Sequence, residues 1–168
     1  EQTLEWNDAG VEGAFRFLKR LWRQVYLHVE SGLSPRVLDS ASLTDGQKAL
    51  RRQLHQALQK VTDDMARRHT FNTAIAANME LLNALSKFED DSDEGRSVRQ
   101  ETLEHIVLML APIIPHAAQQ LWNELGHDDD IVLAPWPVVD DSALQQDAIE
   151  MVVQVNGKLR GKLSVAAT

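Results

Sequence analysis

Residues 98–125 read VRQETLEHIVLMLAPIIPHAAQQLWNEL. Within them Leu103, Ile106, Val107, Leu110, Ile114, Ala117 and Leu121 recur every three or four residues, the spacing that puts side chains on one face of an α-helix. Pro112 and Pro115 fall inside the pattern. Each lacks a backbone donor and crowds the preceding turn. Because the apolar stripe keeps its phase across both, the pattern predicts one long helix with a kink rather than two helices.

Upstream, the same periodicity returns three times. From about Asp8 to Glu30, Val11, Ala14, Phe15, Leu18, Leu21, Trp22, Val25 and Val29 form a stripe that ends at Gly32 and Pro35. Thr44 and Gln47 read as a capping box, opening a helix whose stripe is Leu50, Leu54, Leu58, Val61 and Met65. Another begins near Thr70, with Phe71, Ala74, Ile75, Leu82 and Leu85 on one face, and the acidic loop Glu89–Gly95 follows it. The reading is therefore a mainly α protein, an antiparallel bundle of about four helices over residues 1–126.

Downstream of Gly126 the character changes. Residues 127–148 are acidic and contain Ala134-Pro135-Trp136-Pro137, and read as a connector. Residues 149–168 read as a β-hairpin turning at Asn156-Gly157, the start of a further, truncated domain. A three-residue loop, with Val153 opposite Leu159 and Gln154 opposite Lys158, separates apolar from polar faces better than a two-residue turn, so the bulged loop is expected.

The chain has 168 residues, 43% of them hydrophobic, enough for a buried core. No apolar run approaches the ~20 residues that cross a bilayer, and the acidic start Glu1-Gln2-Thr3-Leu4-Glu5 lacks the pattern of a secretory leader, so a cytoplasmic protein is expected. It has no cysteine, which excludes disulfides and thiolate metal sites. The net charge of −8 disfavours nucleic acid until its distribution is considered. Residues 1–87 carry 12 Lys+Arg against 10 Asp+Glu, residues 88–150 carry 2 against 15, and residues 151–168 carry 3 against none. Local fields decide where a polyanion docks.

Arg16, Lys19, Arg20 and Arg23 project within an arc of roughly 100° on the first helix. This ridge can meet successive phosphates, and arginine's planar fork matches phosphate oxygens; against it, Glu12 stands four residues before Arg16, as in an ordinary solvated pair. Lys48, Arg51, Arg52 and His55 form a second arc, with no acid four residues before Arg51 or Arg52. Arg67 and Arg68 have Asp63 and Asp64 at that spacing and are discounted. Lys158, Arg160 and Lys162 alternate along one strand face, and Glu150 offsets Lys162. The candidate phosphate-binding set is thus Arg16, Lys19, Arg20, Arg23, Lys48, Arg51, Arg52, Lys158 and Arg160.

Other constellations read as structural. Asp90, Ser92, Glu94, Gly95 and Glu101 fall at calcium-loop positions, but Ser97 stands where that loop needs an apolar residue, so a solvated acidic loop is expected. His127-Asp128-Asp129-Asp130 fixes no coordination geometry. His116 reads as structural, and Asn78, inside an apolar face, is expected to bond carbonyls freed by the prolines. With no glycine-rich phosphate loop, nucleophile–base pair or carboxylate pair in a cleft, no catalytic residue and no metal site is expected.

The segments VEGAFRFLKRLW (Val11–Trp22), FNTAIAANMELLNAL (Phe71–Leu85), LAPIIPHAAQQLW (Leu110–Trp122), APWP (Ala134–Pro137) and VVQVNGKLRGKL (Val152–Leu163) resemble, in that order, bacterial leucyl-tRNA synthetase, a class I aminoacyl-tRNA synthetase. The third is shared with several class I enzymes; the first, second and last are more specific. The resemblance implies an anticodon-binding-type helical domain cut from a longer enzyme, holding tRNA(Leu) along its stem while catalytic and C-terminal domains of the same parent lie outside it. ATP and Mg would be used by the parent's catalytic domain; no cofactor is expected in this segment. The acidic runs 89–95 and 128–130 are expected to face away from RNA. The alternatives are a helical protein-interaction scaffold and the equivalent domain of a valine, isoleucine or methionine enzyme.

Overall fold

The computed structural model describes residues 8–34 and 38–145 with their side chains, and the backbone alone of 148–155 and 158–166. The capping box at Thr44 forms: the Gln47 amide donates to Thr44 Oγ1 at 3.4 Å, and Thr44 N donates to Gln47 Oε1 at 2.9 Å. It opens helix α2, Asp45–Asp63, whose Leu50, Leu54, Leu58 and Val61 are buried as the periodicity requires. A π-helical turn, Asp64–Arg68, extends it and ends on left-handed His69, with φ +55°. Buried Asp64 is held there by Lys60 at 2.7 Å. Helix α3, Phe71–Leu85, buries Ala74, Ala77, Asn78, Leu81, Leu82 and Leu85.

Helix α1 spans Asp8–Ser31, but its core face differs from the expected stripe. Phe17, Leu21, Val25 and His28 are buried, whereas Val11, Phe15 and Trp22 are exposed. The buried seam faces α4 (Asp93–Leu110) and α5 (Pro115–Glu124). The exposed residues lie roughly 100° around the helix at 3.6 residues per turn.

Where one kinked helix was expected, there are two. Proline disfavours the α region for the residue before it, and Ile114 adopts φ −129°, ψ 57°. Pro115 then takes the first helical position of α5, where its missing N–H costs nothing. The amides of Ile113 and Ile114 both donate to Leu110 O at 2.9 Å and close α4. The stripe keeps its phase because Leu110, Ala111, Ala118 and Leu121 line one core from both sides of the break. At its other end α4 starts inside the acidic loop. Ser92 caps it by accepting from Gly95 N at 3.0 Å, and Asp93 and Glu94 favour the positive helix N-terminus.

Helix α4 is central, packing against α1, α2, α3 and α5. Its Gln100 accepts through Oε1 from His28 Nε2 at 2.5 Å, and donates through Nε2 to Glu104 Oε1 at 2.7 Å and Leu125 O at 2.9 Å. Asn78 bonds its own helix, donating to Ala74 O at 2.9 Å, rather than carbonyls near the prolines. After α5, Gly126 at φ +98° turns the chain so that His127 N donates to Trp122 O at 3.3 Å. A short helix α6, Asp141–Leu144, follows. The backbone then forms β1, Ala148–Val155, and β2, Lys158–Ala166, paired antiparallel with Val155 opposite Lys158 and Gln154 opposite Leu159. That register differs from the expected three-residue loop, and its irregularity lies instead between Val153 and Gln154. No helix among the described residues is long and apolar enough to cross a membrane.

Candidate nucleic-acid interface

On α1, Arg16, Lys19, Arg20 and Arg23 are all exposed, so the ridge exists. Arg16 makes the anticipated pair with Glu12 at 3.4 Å. Both side chains are well solvated, so the pair is weak and a phosphate can compete for the guanidinium. The Lys19 ammonium lies 5.4 Å from the centre of the Phe15 ring, and Arg20 donates to Asn83 Oδ1 on α3. Arg20 and Arg23 border an open cleft of about 740 Å³ together with Arg99, Phe88, Glu89 and Asp91. The acidic loop therefore does not face away from the ridge. It flanks its C-terminal half, leaving Arg16 and Lys19 in the less offset field.

The α2 arc separates into two environments. Lys48, Arg52 and the edge of Arg51 line a cavity of about 260 Å³ with Ser40, Ser142 and Gln145. Arg52 Nη2 donates to Gln145 O at 3.0 Å, while its Nε is buried with no hydrogen-bond partner among the described residues. Arg51, by contrast, turns inward and is 6% exposed. Its Nε donates to Glu101 Oε2 at 2.8 Å, its Nη1 to Ser40 Oγ at 2.9 Å, and its Nη2 to Asp140 Oδ2 at 2.8 Å and Glu101 Oε1 at 3.0 Å. Arg51 has no acid four residues before it on its helix, and its acids come instead from α4 and from the segment before α6, 50 and 89 residues away. Four of its five N–H donors thus have protein acceptors, and its charge already faces two carboxylates, so a phosphate would have to displace them.

Titration follows from that geometry. Burial works against the Arg51 charge, yet the carboxylates of Glu101 and Asp140 outweigh it and raise its pKa. Burial pushes Glu101 upward, but His55 and Arg51 hold it below the ordinary carboxylate range. Asp140 is lowered to about 2, first by the Ser142 hydroxyl and then, against burial, by the Ser142 amide and Arg51.

Periodicity alone did not single out this cluster, although a signal was present. At 100° per residue Arg51 lies about 20° from Leu58 and so at the edge of the apolar stripe, unlike Lys48 and Arg52. His127, weighed above as a metal ligand, stacks on Trp122 at 3.5 Å and meets Glu104 at 2.9 Å. Asp90 accepts from Ser92 Oγ at 2.6 Å and Gln47 Nε2 at 2.7 Å, so it caps structure where a calcium loop would need it free. His116 is exposed rather than built into the core. The side chains of Lys158 and Arg160 lie outside the described residues.

Arg16, Lys19, Arg20 and Arg23 thus stand exposed along α1, whereas Arg51 is buried against two carboxylates. Residues 47–168 match the family model described as the anticodon-binding domain of tRNA ligase, and the chain belongs to that family. It is 62% identical over 167 residues to leucine–tRNA ligases of Thioalkalivibrio sulfidiphilus and Hydrogenovibrio crunogenus, covering 99% of this chain and 20% and 19% of theirs. The chain thus spans about a fifth of the length of the curated relatives it matches. Among solved structures it is similar to the Agrobacterium radiobacter K84 LeuRS–tRNA–LeuAMS ternary complex, with a TM-score of 0.77 and 29% identity over 97% of this chain and 21% of that one.

Proposed function

We propose that this domain holds tRNA(Leu) within a leucine–tRNA ligase, gripping the phosphate backbone while a catalytic region elsewhere in the protein activates leucine and charges the tRNA. The observation that carries the reading is near-complete alignment of the chain with leucine–tRNA ligases at 62% identity. It is joined by the cation ridge on α1, the feature a backbone-gripping surface needs. The contacts proposed are Arg16, Lys19, Arg20 and Arg23, with Lys48 and Arg52 at the second site and Lys158 and Arg160 along the hairpin. Arg51 leaves the set because it is buried.

We place the rest of the ligase against the outer face of α1, where Val11, Phe15, Trp22 and Tyr26 are exposed on one side. A contiguous apolar face of this kind is covered in a working protein. The β-hairpin of residues 148–166 is proposed as the opening of a further domain. ATP and magnesium do not fit the described residues. No glycine-rich phosphate loop stands among them, and no described cluster of three His, Asp or Glu could hold a metal ion. Both belong to the catalytic region, and with tRNA as ligand the cytoplasm is the place of action.

The test is fluorescence anisotropy with leucine tRNA across a salt series, comparing the wild type with an Arg16→Ala, Lys19→Ala, Arg23→Ala variant. Each lost phosphate contact lowers the slope of log K against log salt by about 1, so the triple variant should lose up to about 3. Unchanged affinity and slope would remove α1 from the interface.

A further inference from the structure

The open cleft of about 740 Å³ beside the α1 ridge carries both signs of charge. Arg20 and Arg23 stand on its α1 side, Glu89 and Asp91 on the loop that follows α3, and Leu27 and Phe88 supply apolar wall. Arg23, Glu89 and Asp91 are exposed, and among the described residues none of the three has a hydrogen bond or ion pair. Opposite charges that share a cleft and leave one another unpaired can be bridged by a ligand that donates on one edge and accepts on another.

Phe88 is held in place from several sides. Partly buried, it packs against the core, and its amide donates to Leu85 O at 3.0 Å. Arg99 of α4 donates to its carbonyl at 2.8 Å and sets its guanidinium carbon 5.7 Å from the centre of the ring. An aromatic ring with a guanidinium beside it is the kind of surface on which unstacked RNA bases lie. A ring already fixed loses little further freedom when a base arrives.

The edges of the cleft then choose the base. A carboxylate only accepts and a guanidinium only donates. Among the RNA bases, guanine has two neighbouring N–H groups, at N1 and N2, that suit a carboxylate, and two neighbouring acceptors, O6 and N7, that suit an arginine. A phosphate fits this cleft less well, because Glu89 and Asp91 repel it. A paired guanine has N1 and N2 occupied, so the occupant must be unpaired.

We propose that this cleft receives one unpaired guanine of the tRNA. Phe88 and Arg99 carry the plane of the base, and Glu89 and Asp91 accept from N1 and N2. Arg23, with more N–H groups than one phosphate takes, donates to O6 and N7. This deepens the tRNA-holding function proposed above and rests on it. It adds a base-reading element to a surface that otherwise grips phosphate, a contact that carries no sequence information.

The experiment probes full-length ligase bound to leucine tRNA with kethoxal, which adds to N1 and N2 of unpaired guanine. One unpaired guanine should lose its reactivity on binding to the wild type and regain it with the Glu89→Ala, Asp91→Ala double variant. The affinity of that variant has a telling sign. If the cleft met only phosphate, removing two carboxylates beside Arg20 and Arg23 would tighten binding. With guanine in the cleft, binding should weaken by about tenfold, as for the loss of one good base contact. Phe88→Leu, which keeps apolar packing but loses the ring, should also weaken binding by about tenfold. It should leave the slope of log K against log salt unchanged, since no phosphate contact is lost, and Phe88→Tyr should restore the affinity. Unchanged or tighter binding by the double variant, or the same kethoxal pattern with it as with the wild type, would overturn the guanine site. A wild-type ligase that binds no leucine tRNA would overturn the tRNA-holding function itself, a result set apart by the absence of any footprint.

Discussion

Replacing Gly95 by alanine should destabilise the domain, against the rule that alanine is the better helix former. Gly95 lies in the first turn of α4, where the change to alanine ordinarily contributes about 0.5–1 kcal/mol. Here an added Cβ would stand 2.4 Å from Asp90 Oδ1 and 2.7 Å from Asp90 O, closer than van der Waals contact permits. Because a backbone oxygen is one of the clashing atoms, a side-chain rotation alone does not relieve it, and the loop must move. Asp90 and Ser92 are the parts at risk. The Ser92 cap is worth about 1 kcal/mol and the charge-assisted bond from Gln47 to Asp90 about 1.5–3 kcal/mol. Losing most of both and gaining the helix propensity leaves a net cost of about 2 kcal/mol. For a chain of this size that is a fall of roughly 4–8 °C in Tm. Urea unfolding followed by circular dichroism measures it, with Asp90→Ala and the double variant completing a cycle. The two costs should be less than additive, since both act on one loop. A Gly95→Ala protein as stable as the wild type, or more so, would refute the close approach.

Leu54 and Phe15 should respond in opposite ways to alanine. Leu54 is fully buried between helices and should cost about 2–5 kcal/mol, whereas Phe15, 61% exposed, should leave the stability of residues 1–168 within about 0.5 kcal/mol, both read by urea unfolding. Stability should also fall as pH drops from 7.5 to 5. Burial holds the imidazoles of His28 and His105 below their ordinary pKa. The unfolded chain therefore takes up protons first, and the stabilisation, complete above about pH 6.5, is lost progressively below it. Glu101 and Asp140, lowered in the folded state, lose their contribution only in stronger acid, for Asp140 as pH falls from about 4 toward 2. Unfolding free energies that are flat or rising between pH 7.5 and 5 would contradict the assignment of both histidines.

The helices were legible because periodicity and caps are local. Thr44 with Gln47, and the spacing of Leu50, Leu54, Leu58 and Val61, carry their own meaning whatever surrounds them. The boundary of α4 and α5 was misread for an instructive reason. Stripe phase reports which side faces the core, and a four-residue break that rejoins the same core preserves it. Pro115 did carry the answer, since proline fits the first position of a helix and disfavours helical geometry just before itself. On α1 the opposite error arose: Val11, Phe15 and Trp22 continued the apolar pattern, but no described element covers them. Amphipathicity records every surface a helix meets, and the described residues supply only some of those on α1.

The charge pattern shows why site residues were harder to read than helices. Counting by segment gave a mildly basic stretch before residue 88 and a strongly acidic one from 88 to 150. Part of both excesses is the same buried exchange: Arg51 leaves the basic account and Glu101 and Asp140 leave the acidic one when they meet inside the fold. Asp90 is likewise turned onto Ser92 and Gln47, and Glu104 onto Gln100 and His127. Pairing at i,i+4 can be read from sequence, as Arg67 with Asp63 confirms at 2.6 Å, but pairing across 50 or 89 residues cannot. What remains outside after these exchanges is the field a polyanion would meet. On that field Arg16 meets Glu12 in a solvated pair and Lys19 lies beside Phe15, while Arg20 and Arg23 share their cleft with Glu89 and Asp91. The N-terminal half of the α1 ridge is therefore the stronger place for a phosphate, and Arg16→Ala should weaken tRNA binding more than Arg23→Ala in the same anisotropy titration; the reverse order would mean that the acidic loop moves aside when RNA binds.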